Sequence, residues 1–490
     1  MPSPLTPDEA LRRDFRMLIG GELVSSSDRL TYTTINPATG ETLPRVPSAS
    51  SADVDRCVRA AKAAQPGWQR LSYRERQAVV LEMAARLRRS ADLFGLLDCL
   101  DTGNVYSAMR LDALEAANQM EYFASIGHEV KGEVTHLDSN LHFTRRQPYG
   151  VVLRLLPFNH PIFALCTAIV PPMLTGNTVI SKPSPHTPRS ALAFAEAVSD
   201  CLPSGVLNII VGDNDRVSAP LIRHDGIDRI CVTGSVETGR IVARMAADRL
   251  IPVTLELGGK NPLIVFPDFD VDRAVEIAVA GMNFKWQSQS CASTSRILVH
   301  RTIRDAFTER LAARVQKVRV ALPLEDDAEM GAITFEALYQ RCLSYVQSGK
   351  DEGARLRCGG KRPDRPELRR GYFMTPAVFD GANPTMRIAR EEIFGPVITV
   401  LEWDKYDEMI EIANGLSFGL TAVIATNDLN TALRTAEMVG AGYVEVNGPV
   451  SYALGSPVGG MKNSGIGREG NLDELLSFTQ IKSINVRVQR

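Results

Sequence analysis

The stretch 150–257 constrains the fold more than any other part of the chain, because short apolar runs alternate along it with helical patterns. The runs are rich in leucine or β-branched residues and cover 151–156, 178–181, 206–211, 227–232 and 253–257. Helical segments begin between them at Pro161, Pro188, Asp215 and Glu237. This alternation predicts a parallel sheet covered by helices, an architecture that commonly binds nucleotides at the carboxyl ends of its strands.

A second alternating block follows at about 262–446. Its predicted strands are 263–266, 297–299, 398–401, 422–425 and 443–446. Amphipathic helical patterns precede the first block at 51–65, 72–90 and 105–126. A chain of 490 residues exceeds what a single core usually supports. We therefore predict an α/β fold with a Rossmann-like domain and a second α/β domain.

Two further segments, 128–145 and 482–489, alternate like strands but carry little core of their own. Strand pieces that cannot stand alone are expected to pair with each other and with a neighbouring subunit. They predict a small β element that joins subunits into a homodimer or homotetramer.

The charge pattern and the cysteines exclude several classes of protein. Lys plus Arg (55) nearly balances Asp plus Glu (57), and no long run of like charge offers a nucleic-acid or membrane patch. The eight cysteines are scattered, without a Cys-x-x-Cys pair or a histidine at metal-ligand spacing, so we expect reduced thiols and no metal site. The N-terminus lacks a signal pattern and no apolar run reaches 18 residues. A cytoplasmic location is expected.

Cys291 and Glu256 are the candidate reactive pair. Cys291 lies between a helix-like run and the strand-like run 297–300, a junction that can present its sulfur to a cleft. Glu256 ends an apolar run and is followed by two glycines, which permit close backbone approach. A thiol nucleophile and a candidate base are the minimum for covalent acyl chemistry. A buried cysteine and a strand-end surface glutamate are the plainer interpretations.

A nucleotide site is predicted where a strand turns through Gly234 and Ser235 directly into a helix that contains Gly239. Free N–H groups and the Ser235 hydroxyl could hold a phosphate there. An ordinary Ser-capped helix is the alternative. A Gly-x-Gly-x-x-Gly match at 465–470 follows no strand, so it is not expected to be a phosphate loop.

Three more side chains are candidates for cofactor contacts. Lys182 ends a predicted strand at the same edge of the sheet, where ribose or phosphate oxygens need a donor. Glu392 offers a carboxylate for ribose hydroxyls, and Phe394 a ring for a flat base. The alternatives are a solvated strand-end lysine and a capped loop that enters a buried strand.

These motifs occur together in one order along nearly the whole chain. They are Pro157-Phe-Asn159-His-Pro161, Lys182-Pro-Ser184, Thr233-Gly-Ser235, Glu256-Leu-Gly-Gly-Lys260, Gln289-Ser-Cys291, Glu392-Ile-Phe394-Gly-Pro and Pro457-Val-Gly-Gly-Met-Lys-Asn-Ser-Gly465. The ordered set resembles the aldehyde dehydrogenase superfamily. Seven spaced motifs are far more specific than any one of them.

The resemblance implies a mechanism. Cys291 would attack the aldehyde carbonyl, giving a thiohemiacetal that passes a hydride to NAD or NADP and leaves a thioester. The Asn159 amide and the Cys291 N–H would stabilise the oxyanion. Glu256 would activate the water that hydrolyses the thioester. Glu469 matches a second glutamate of the family, a candidate proton relay, with a helix-start carboxylate as its alternative.

The resemblance also implies binding residues and domain limits. Its cofactor-binding set is Phe158, Lys182, Ser184, Gly234, Ser235, Gly239, Leu257, Glu392 and Phe394. Its substrate set is His160, Phe163, Thr167, Lys285, Trp286, Ser290, Ala292, Val450, Tyr452 and Val458. The predicted cofactor domain is 1–127 with 146–257 and a return at 464–478; the catalytic domain is 258–463, and the oligomerisation strands are 128–145 and 479–490.

The substrate set mixes aromatic and small apolar groups, which favours apolar or aromatic aldehydes. Lys285 keeps an acidic aldehyde possible, and packing between domains is the alternative for several members of the set.

The sequence departs from the family pattern in three places. Phe158 replaces a Trp and keeps the ring. Ser288 stands where the family has Gly, which predicts a stiffer turn. Pro185 stands where NAD-preferring relatives usually have Glu, so one discriminator against the 2′-phosphate of NADP is missing.

Two rival hypotheses remain open at this point. A coenzyme A-acylating member would release the acyl group to a thiol, but the presence of Glu256 argues against it. A silent binding or structural member would have no reason to keep Cys291, Asn159 and Glu256 together.

Overall fold

The computed structural model describes residues 5–135 and 140–487. Residues 136–139 and 488–490 of the predicted oligomerisation strands 128–145 and 479–490 lie outside the described residues, as do residues 1–4. The fold alternates strands and helices through most of its length.

The strands of the described chain are numbered in order. They are β1 (Met17–Ile19), β2 (Glu22–Val24), β3 (Thr31–Tyr32), β4 (Val46–Pro47), β5 (Val134–Thr135), β6 (Leu141–Pro148), β7 (Val151–Leu155), β8 (Thr178–Lys182), β9 (Leu207–Ile209), β10 (Arg229–Thr233), β11 (Val253–Glu256), β12 (Pro262–Val265), β13 (Arg296–His300), β14 (Arg355–Cys358), β15 (Ala377–Asp380), β16 (Val397–Trp403), β17 (Thr421–Ala425), β18 (Tyr443–Val446), β19 (Gly465–Ile466) and β20 (Thr479–Val486).

The α-helices are numbered in the same way. They are α1 (Pro7–Leu11), α2 (Ser51–Arg70), α3 (Tyr73–Arg89), α4 (Ala91–Thr102), α5 (Tyr106–Ile126), α6 (Pro161–Leu174), α7 (Arg189–Val198), α8 (Ala219–Arg223), α9 (Val236–Ala247), α10 (Val271–Gly281), α11 (Arg304–Val315), α12 (Glu336–Asp351), α13 (Arg387–Arg390), α14 (Tyr406–Asn414), α15 (Leu429–Met438) and α16 (Leu472–Ser477).

Side-chain capping explains where two of the long N-terminal helices begin. The Ser50 hydroxyl accepts from the Asp53 N–H, and the Asp53 carboxylate accepts from the Ser50 N–H, a reciprocal capping box at the start of α2. Ser72 and Glu75 form the same arrangement at the start of α3. The sequence therefore fixes these starts locally.

The first large sheet has the strand order β19-β11-β10-β7-β8-β9-β1-β2. Its centre, from β11 to β9, is parallel, whereas β19, β1 and β2 pair antiparallel at the edges. Every residue of β7 and β8 is buried, as expected for parallel strands with helices on both faces. This sheet carries the largest core cluster, which the N-terminal helices also join.

The second large sheet has the order β14-β15-β16-β13-β12-β17-β18, with only β14 antiparallel. A third, three-stranded sheet pairs β20 with β6 along their full length and β6 with β5. The two isolated strand pieces of the sequence therefore do pair with each other. The predicted fold class, two α/β units with a small β element, is confirmed.

The predicted elements of both alternating blocks are present, with ends that move by one to a few residues. The strands β1 to β4, the helix α4 and the pair β14 and β15 were not predicted from the sequence. Nearly all of α4 is buried, so its apolar residues fall on every face and give no amphipathic period. The domain limits stay a prediction, since pairing assigns strands to sheets and not residues to domains.

Candidate active site

The reactive residues lie where the chain crosses from the first large sheet to the second. Strand β11 ends at Glu256 and β12 begins at Pro262, so residues 257–261 form the whole crossing. The buried Ser464 holds this segment: its hydroxyl donates to the Gly258 carbonyl (2.8 Å), and its carbonyl accepts from the Leu257 N–H (2.9 Å). The strand end that presents Glu256 is therefore fixed against the returning chain.

Cys291 meets Glu256 at this crossing. The Cys291 Sγ lies 3.6 Å from the Glu256 Oε1. The Asn261 amide holds the cysteine segment by donating to the Cys291 carbonyl (2.6 Å) and the Ser293 carbonyl (3.1 Å). Left-handed backbone at Gln287 (φ 52°) and Ser288 (φ 58°) turns the chain just before the thiol. A tight turn and one asparagine thus set the position of the sulfur.

Asn159 lies beside the same segment. It belongs to the loop between β7 and α6 and is 5% exposed. The Asn159 Nδ2 donates to the backbone carbonyl of Gln289 (2.7 Å), and the backbone carbonyl of Asn159 accepts from the Asn104 side-chain amide (2.8 Å). Since an amide nitrogen carries two hydrogens, one N–H remains for a further acceptor.

Burial sets the protonation of the reactive pair. Loss of hydration, and then the charge of Glu469, raise the pKa of Glu256 to about 8. Burial also raises the pKa of the Cys291 thiol well above its usual value, and the Glu256 carboxylate adds to this shift. A thiol and a carboxyl in contact titrate as a coupled pair, and once Glu256 is deprotonated it can take the proton that Cys291 must lose.

Glu469 is electrostatically coupled to this pair without a hydrogen bond to it among the described residues. Its carboxylate accepts from the Arg154 Nη2 (3.3 Å), and its backbone pairs with Val458. Arg154 also lies 3.9 Å from the Glu474 Oε1. Glu469 therefore belongs to an acidic cluster around a buried arginine on β7.

The residues predicted to hold phosphates and ribose lie at the carboxyl edge of the first sheet. Lys182 ends β8, is 3% exposed, and its Nζ has no hydrogen-bond partner in residues 5–135 and 140–487. Burial lowers the pKa of Lys182 to about 8, with the charge of Asp213 opposing the shift. A buried ammonium without a partner fits a ligand oxygen. Ser184 follows it, and its hydroxyl accepts from the His186 N–H (3.2 Å).

Gly234 and Ser235 start helix α9. The Gly234 N–H donates to the Glu256 carbonyl (3.0 Å), and Ser235 caps the helix by accepting from the Thr238 N–H (3.1 Å). The capped helix named as the alternative is thus present, and it leaves the other first-turn N–H groups for a ligand. A Cβ on Gly239 would lie 2.5 Å from Leu257, so glycine lets α9 pack on the crossing segment.

Glu392 contacts the crossing segment, and three phenylalanines, among them Phe394, pack together. The Glu392 carboxylate accepts from the Gly259 N–H (3.0 Å). The Phe158 ring packs edge-on against Phe394 (5.6 Å between centroids) and Phe335 (5.2 Å). The Phe335 ring also stacks on His186 (4.3 Å between centroids), four residues after Lys182. A lysine, a carboxylate and aromatic rings are groups that fit the ribose hydroxyls and flat bases of a dinucleotide.

Comparisons with known proteins agree on one family. The profile of the Aldehyde dehydrogenase family matches residues 23–484. The chain belongs to the aldehyde dehydrogenase family. The recognition made from the ordered motifs is confirmed, and so is the enzyme class, an aldehyde oxidoreductase that uses NAD or NADP.

Individual relatives cover nearly the whole chain. Aldehyde dehydrogenase tropH of Talaromyces stipitatus is 41% identical over 93% of this chain and 90% of its own length. Betaine aldehyde dehydrogenase of Mesorhizobium japonicum is 40% identical over 96% of both chains. The NAD+ complex of aldehyde dehydrogenase from Bacillus cereus superposes with a TM-score of 0.96, at 33% identity and 99% coverage of both chains.

The predicted substrate residues of this aldehyde dehydrogenase line one stripe of α6 and two loops. His160, Phe163 and Thr167 are half-buried at three- and four-residue spacing, whereas Ile162, Leu165 and Cys166 between them are fully buried. This face of α6 is therefore partly accessible to solvent. The His160 ring lies 5.3 Å from Trp286 and 6.2 Å from Phe163, centroid to centroid.

The remaining members of the predicted substrate set have different surroundings. Partial desolvation raises the pKa of the Tyr452 phenol, and the charges of Cys291 and Glu256 add to the shift, which puts Tyr452 near the reactive pair. Ser290 accepts from the Ala292 N–H (3.3 Å) beside the thiol. Lys285 has an exposed side chain, and Val450 packs against the core of the second sheet.

Several residues that shape the site were missed in the sequence. Asp112 on α5 is 7% exposed, and its carboxylate bonds both His160 and Trp286. Asn261 positions the cysteine segment, and Phe335 packs against Phe158. An acidic residue at a buried position of the α5 period was the available signal for Asp112; the others carried none.

Other site types find little support in residues 5–135 and 140–487. No group of three or more His, Cys, Asp or Glu there could hold a metal ion. No helix within these ranges is long and apolar enough to cross a membrane. All eight cysteines fall within the same ranges and are free thiols.

Proposed function

We propose that this enzyme oxidises an apolar or aromatic aldehyde to the carboxylic acid by a hydrolytic route, with Cys291 as nucleophile. The single observation that carries the proposal is the 3.6 Å contact between the Cys291 Sγ and the Glu256 carboxylate. The second N–H of Asn159 also supports the proposal, because an oxyanion that forms at this thiol needs a hydrogen-bond donor.

The first half of the reaction forms the thioester. Glu256 takes the thiol proton as the Cys291 Sγ bonds to the carbonyl carbon, and the carbonyl oxygen becomes an oxyanion. The Asn159 amide and the Cys291 backbone N–H, which donates to no described residue, stabilise that oxyanion, each by about 3 kcal/mol if typical of such donors. The bound nicotinamide supplies a hydride acceptor. Cys291 is left carrying the acyl group.

The second half of the reaction releases the acid. Glu256 first releases the thiol proton, and it then takes a proton from water as the water oxygen bonds to the acyl carbon. The carbon–sulfur bond breaks, and the leaving thiolate takes up a proton to return the thiol. Overall an aldehyde, water and the oxidised cofactor give a carboxylate, the reduced cofactor and protons. Glu469 lies close enough to influence the charge of Glu256, which supports its place as the next proton acceptor.

Both NAD and NADP are proposed as cofactors. Lys182 and Glu392 would bind the two riboses, Phe158 and Phe394 would pack on the cofactor, and the start of α9 would face the phosphates. Pro185 follows Ser184 at the end of β8 and offers no carboxylate to repel a 2′-phosphate. We further propose a cytoplasmic homo-oligomer.

Aromatic side chains support the substrate class. Phe163 and Trp286 flank His160, the neighbour of Asn159, and Tyr452 lies close enough to Cys291 for the thiol to raise the pKa of its phenol. Lys285 is exposed rather than fixed as an anion partner. A cationic aldehyde is a second candidate, because the Asp112 carboxylate lies in this region and one relative is named a betaine aldehyde dehydrogenase.

The test measures formation of reduced cofactor with NAD or NADP and a panel of aliphatic, aromatic, carboxylated and quaternary-ammonium aldehydes, with and without coenzyme A. Turnover without coenzyme A supports the hydrolytic route, and turnover only with it assigns the acylating branch. Cys291→Ala should lose turnover and keep cofactor binding. Cys201→Ala, a partly exposed thiol elsewhere, is the matched control and should behave as wild type. Substantial oxidation by Cys291→Ala contradicts the proposal.

A further inference from the structure

Asp112, His160 and Trp286 form a hydrogen-bonded group beside the oxyanion asparagine. The Asp112 Oδ2 lies 2.8 Å from the His160 Nδ1 and 3.2 Å from the Trp286 Nε1. His160 directly follows Asn159, and Trp286 lies five residues before Cys291. The group therefore connects the segment that carries Asn159 to the segment that carries Cys291, the two segments between which an aldehyde would react.

The contacts fix which nitrogen of His160 carries the proton. A carboxylate only accepts hydrogen bonds, so in the neutral form of the ring the Nδ1 that faces Asp112 carries the hydrogen. The Nε2 is then a lone-pair acceptor. It has no hydrogen-bond partner in residues 5–135 and 140–487, and the His160 side chain is 24% exposed. The open end of the ring therefore presents an acceptor to the cleft.

The residues around the His160 Nε2 indicate which kind of substrate group suits it. Phe163 and Trp286 flank the His160 ring, so the surroundings suit an aromatic body. The Asp112 charge already accepts from an imidazole and an indole, and Asp112 itself is 7% exposed. The Asp112 side chain is 10% exposed and that of His160 is 24% exposed, so the imidazole is the more accessible of the two groups. A hydroxyl is the group that completes the site, because it donates to Nε2 while its aromatic ring packs against Trp286.

We propose that the Asp112–His160 pair selects aldehydes that carry a hydroxyl group, the hydroxylated aromatic aldehydes in particular. His160 is the contact to the hydroxyl, and Asp112 is the positioning residue that fixes the imidazole. This inference rests on the proposed function, since it names the substrate class of the same site.

Steady-state kinetics with matched aldehydes tests the proposal. The set is benzaldehyde, each hydroxybenzaldehyde isomer and the corresponding methoxybenzaldehyde, which keeps the oxygen but cannot donate. For at least one isomer, wild type should favour the hydroxyl compound over both others in kcat/KM by about fivefold to a hundredfold, the span that one hydrogen bond to a partly buried group gives. Wild-type ratios near one for every isomer overturn the proposal.

Variants separate recognition from folding. His160→Phe keeps an aromatic ring and should reduce the hydroxyl-to-methoxy ratio to about one. His160→Gln offers an acceptor again and should restore part of it. Asp112→Asn frees the imidazole and should lower the ratio, whereas Asp55→Asn, whose carboxylate faces His224 at 3.4 Å on the surface, should not. An unchanged ratio in a folded His160→Phe contradicts the proposal.

A binding measurement distinguishes failure of the inference from failure of the proposed function. In Cys291→Ala, calorimetry compares hydroxy- and methoxybenzaldehyde without any chemistry, alone and combined with His160→Phe. A hydroxyl preference that His160→Phe removes supports the inference even if the hydrolytic mechanism is wrong. Equal binding of hydroxy- and methoxybenzaldehyde overturns the inference even if oxidation proceeds. The inference is also overturned if betaine aldehyde binds more tightly than hydroxybenzaldehyde and Asp112→Asn abolishes that binding.

Discussion

At the scale of single residues, the reactive pair shows how burial changes ordinary chemistry. Cys291 is half-buried and faces a carboxyl group, and loss of hydration raises the pKa of its thiol, so the thiol resists ionisation on its own. Glu256 is buried next to the charge of Glu469 and holds its proton far above the range of a solvated glutamate. Each group therefore reacts through the other, and proton transfer between them is required for attack.

The first prediction concerns the pH dependence of this pair. The pKa of Glu256 is raised to about 8, so the base is mostly protonated at neutral pH. We expect kcat/KM to rise as the pH rises through about 8. Glu256→Gln should remove that limb and lower kcat/KM by about a hundredfold or more. Rates measured across the pH range for both proteins check this.

Glu196→Gln is the control for the loss of a carboxylate, because Glu196 lies on the surface in an ion pair with Arg13. It should retain the wild-type profile. A pH profile that stays flat through this range would show that Glu256 does not limit the attack.

Ser288 has a backbone conformation and a hydroxyl environment that are both unfavourable for serine. Its backbone has a φ of 58°, where a side chain is strained and glycine is not. The residue is 2% exposed, and its hydroxyl has no hydrogen-bond partner among the described residues. The stiffer turn expected from Ser in place of Gly therefore has a structural basis.

We expect Ser288→Gly to raise the free energy of unfolding by about 1 kcal/mol, because it removes both the strain and the unpaired hydroxyl. Thermal midpoints at one scan rate measure the change. Ser288→Ala removes only the hydroxyl and should gain less, so the pair of variants separates the two causes. A midpoint for Ser288→Gly below that of wild type would refute this account.

At the scale of elements, the crossing from β11 to β12 sets the spacing of the whole site. Gly258 and Gly259 pass directly under the Glu392 carboxylate, and the Gly259 N–H donates to it. A Cβ on Gly258 would lie 2.1 Å from the Glu392 Oε2. The glycine therefore makes room for a side chain that comes from the other sheet.

Gly258→Ala should consequently displace the Glu392 carboxylate and weaken cofactor binding. Gly258 does not have a positive φ, so alanine fits the backbone, and only the flexible carboxylate must move. We expect the KM for NAD to rise about tenfold, the loss of roughly one hydrogen bond to a charged group. Gly67→Ala on α2, where a Cβ meets nothing within 4 Å, is the control. Equal cofactor affinity in the two variants would contradict the role of Glu392.

At the scale of the whole molecule, the three-stranded sheet leaves apolar side chains on its surface. Ile481 on the edge strand β20 is 62% exposed, and Val134 on the opposite edge strand β5 is 59% exposed. Long edge strands with exposed apolar residues are templates for pairing with another chain. This supports the predicted role of the sheet in assembly.

We expect the wild-type protein to have a mass in solution that is a multiple of 53.6 kDa. Ile481→Lys should shift it toward the monomer, because a charge would be buried in the interface. Leu250→Lys, at a 92% exposed position outside this sheet, should not change the mass. Light scattering after size-exclusion chromatography measures all three. A monomeric wild type would refute the assembly role.

Local sequence determined the elements and the order of the motifs. Periodicity and capping placed the helices at 51–65 and 72–90 close to α2 and α3, because the Ser50 and Ser72 caps act within one turn. Periodicity did not predict α4, because burial on all faces of that helix removes the amphipathic period. The resemblance named Cys291, Glu256 and Asn159, and the structure brings these three to one place.

The tertiary structure alone decided the contacts between distant segments. Asp112 reaches His160 across 48 positions and Trp286 across 174, and no local pattern encodes such a meeting. The raised pKa of Glu256 likewise depends on burial and on Glu469, which joins the site only when β19 returns to pair with β11. Local propensities act over a few residues, whereas burial and long-range pairing exist only once the two sheets have assembled.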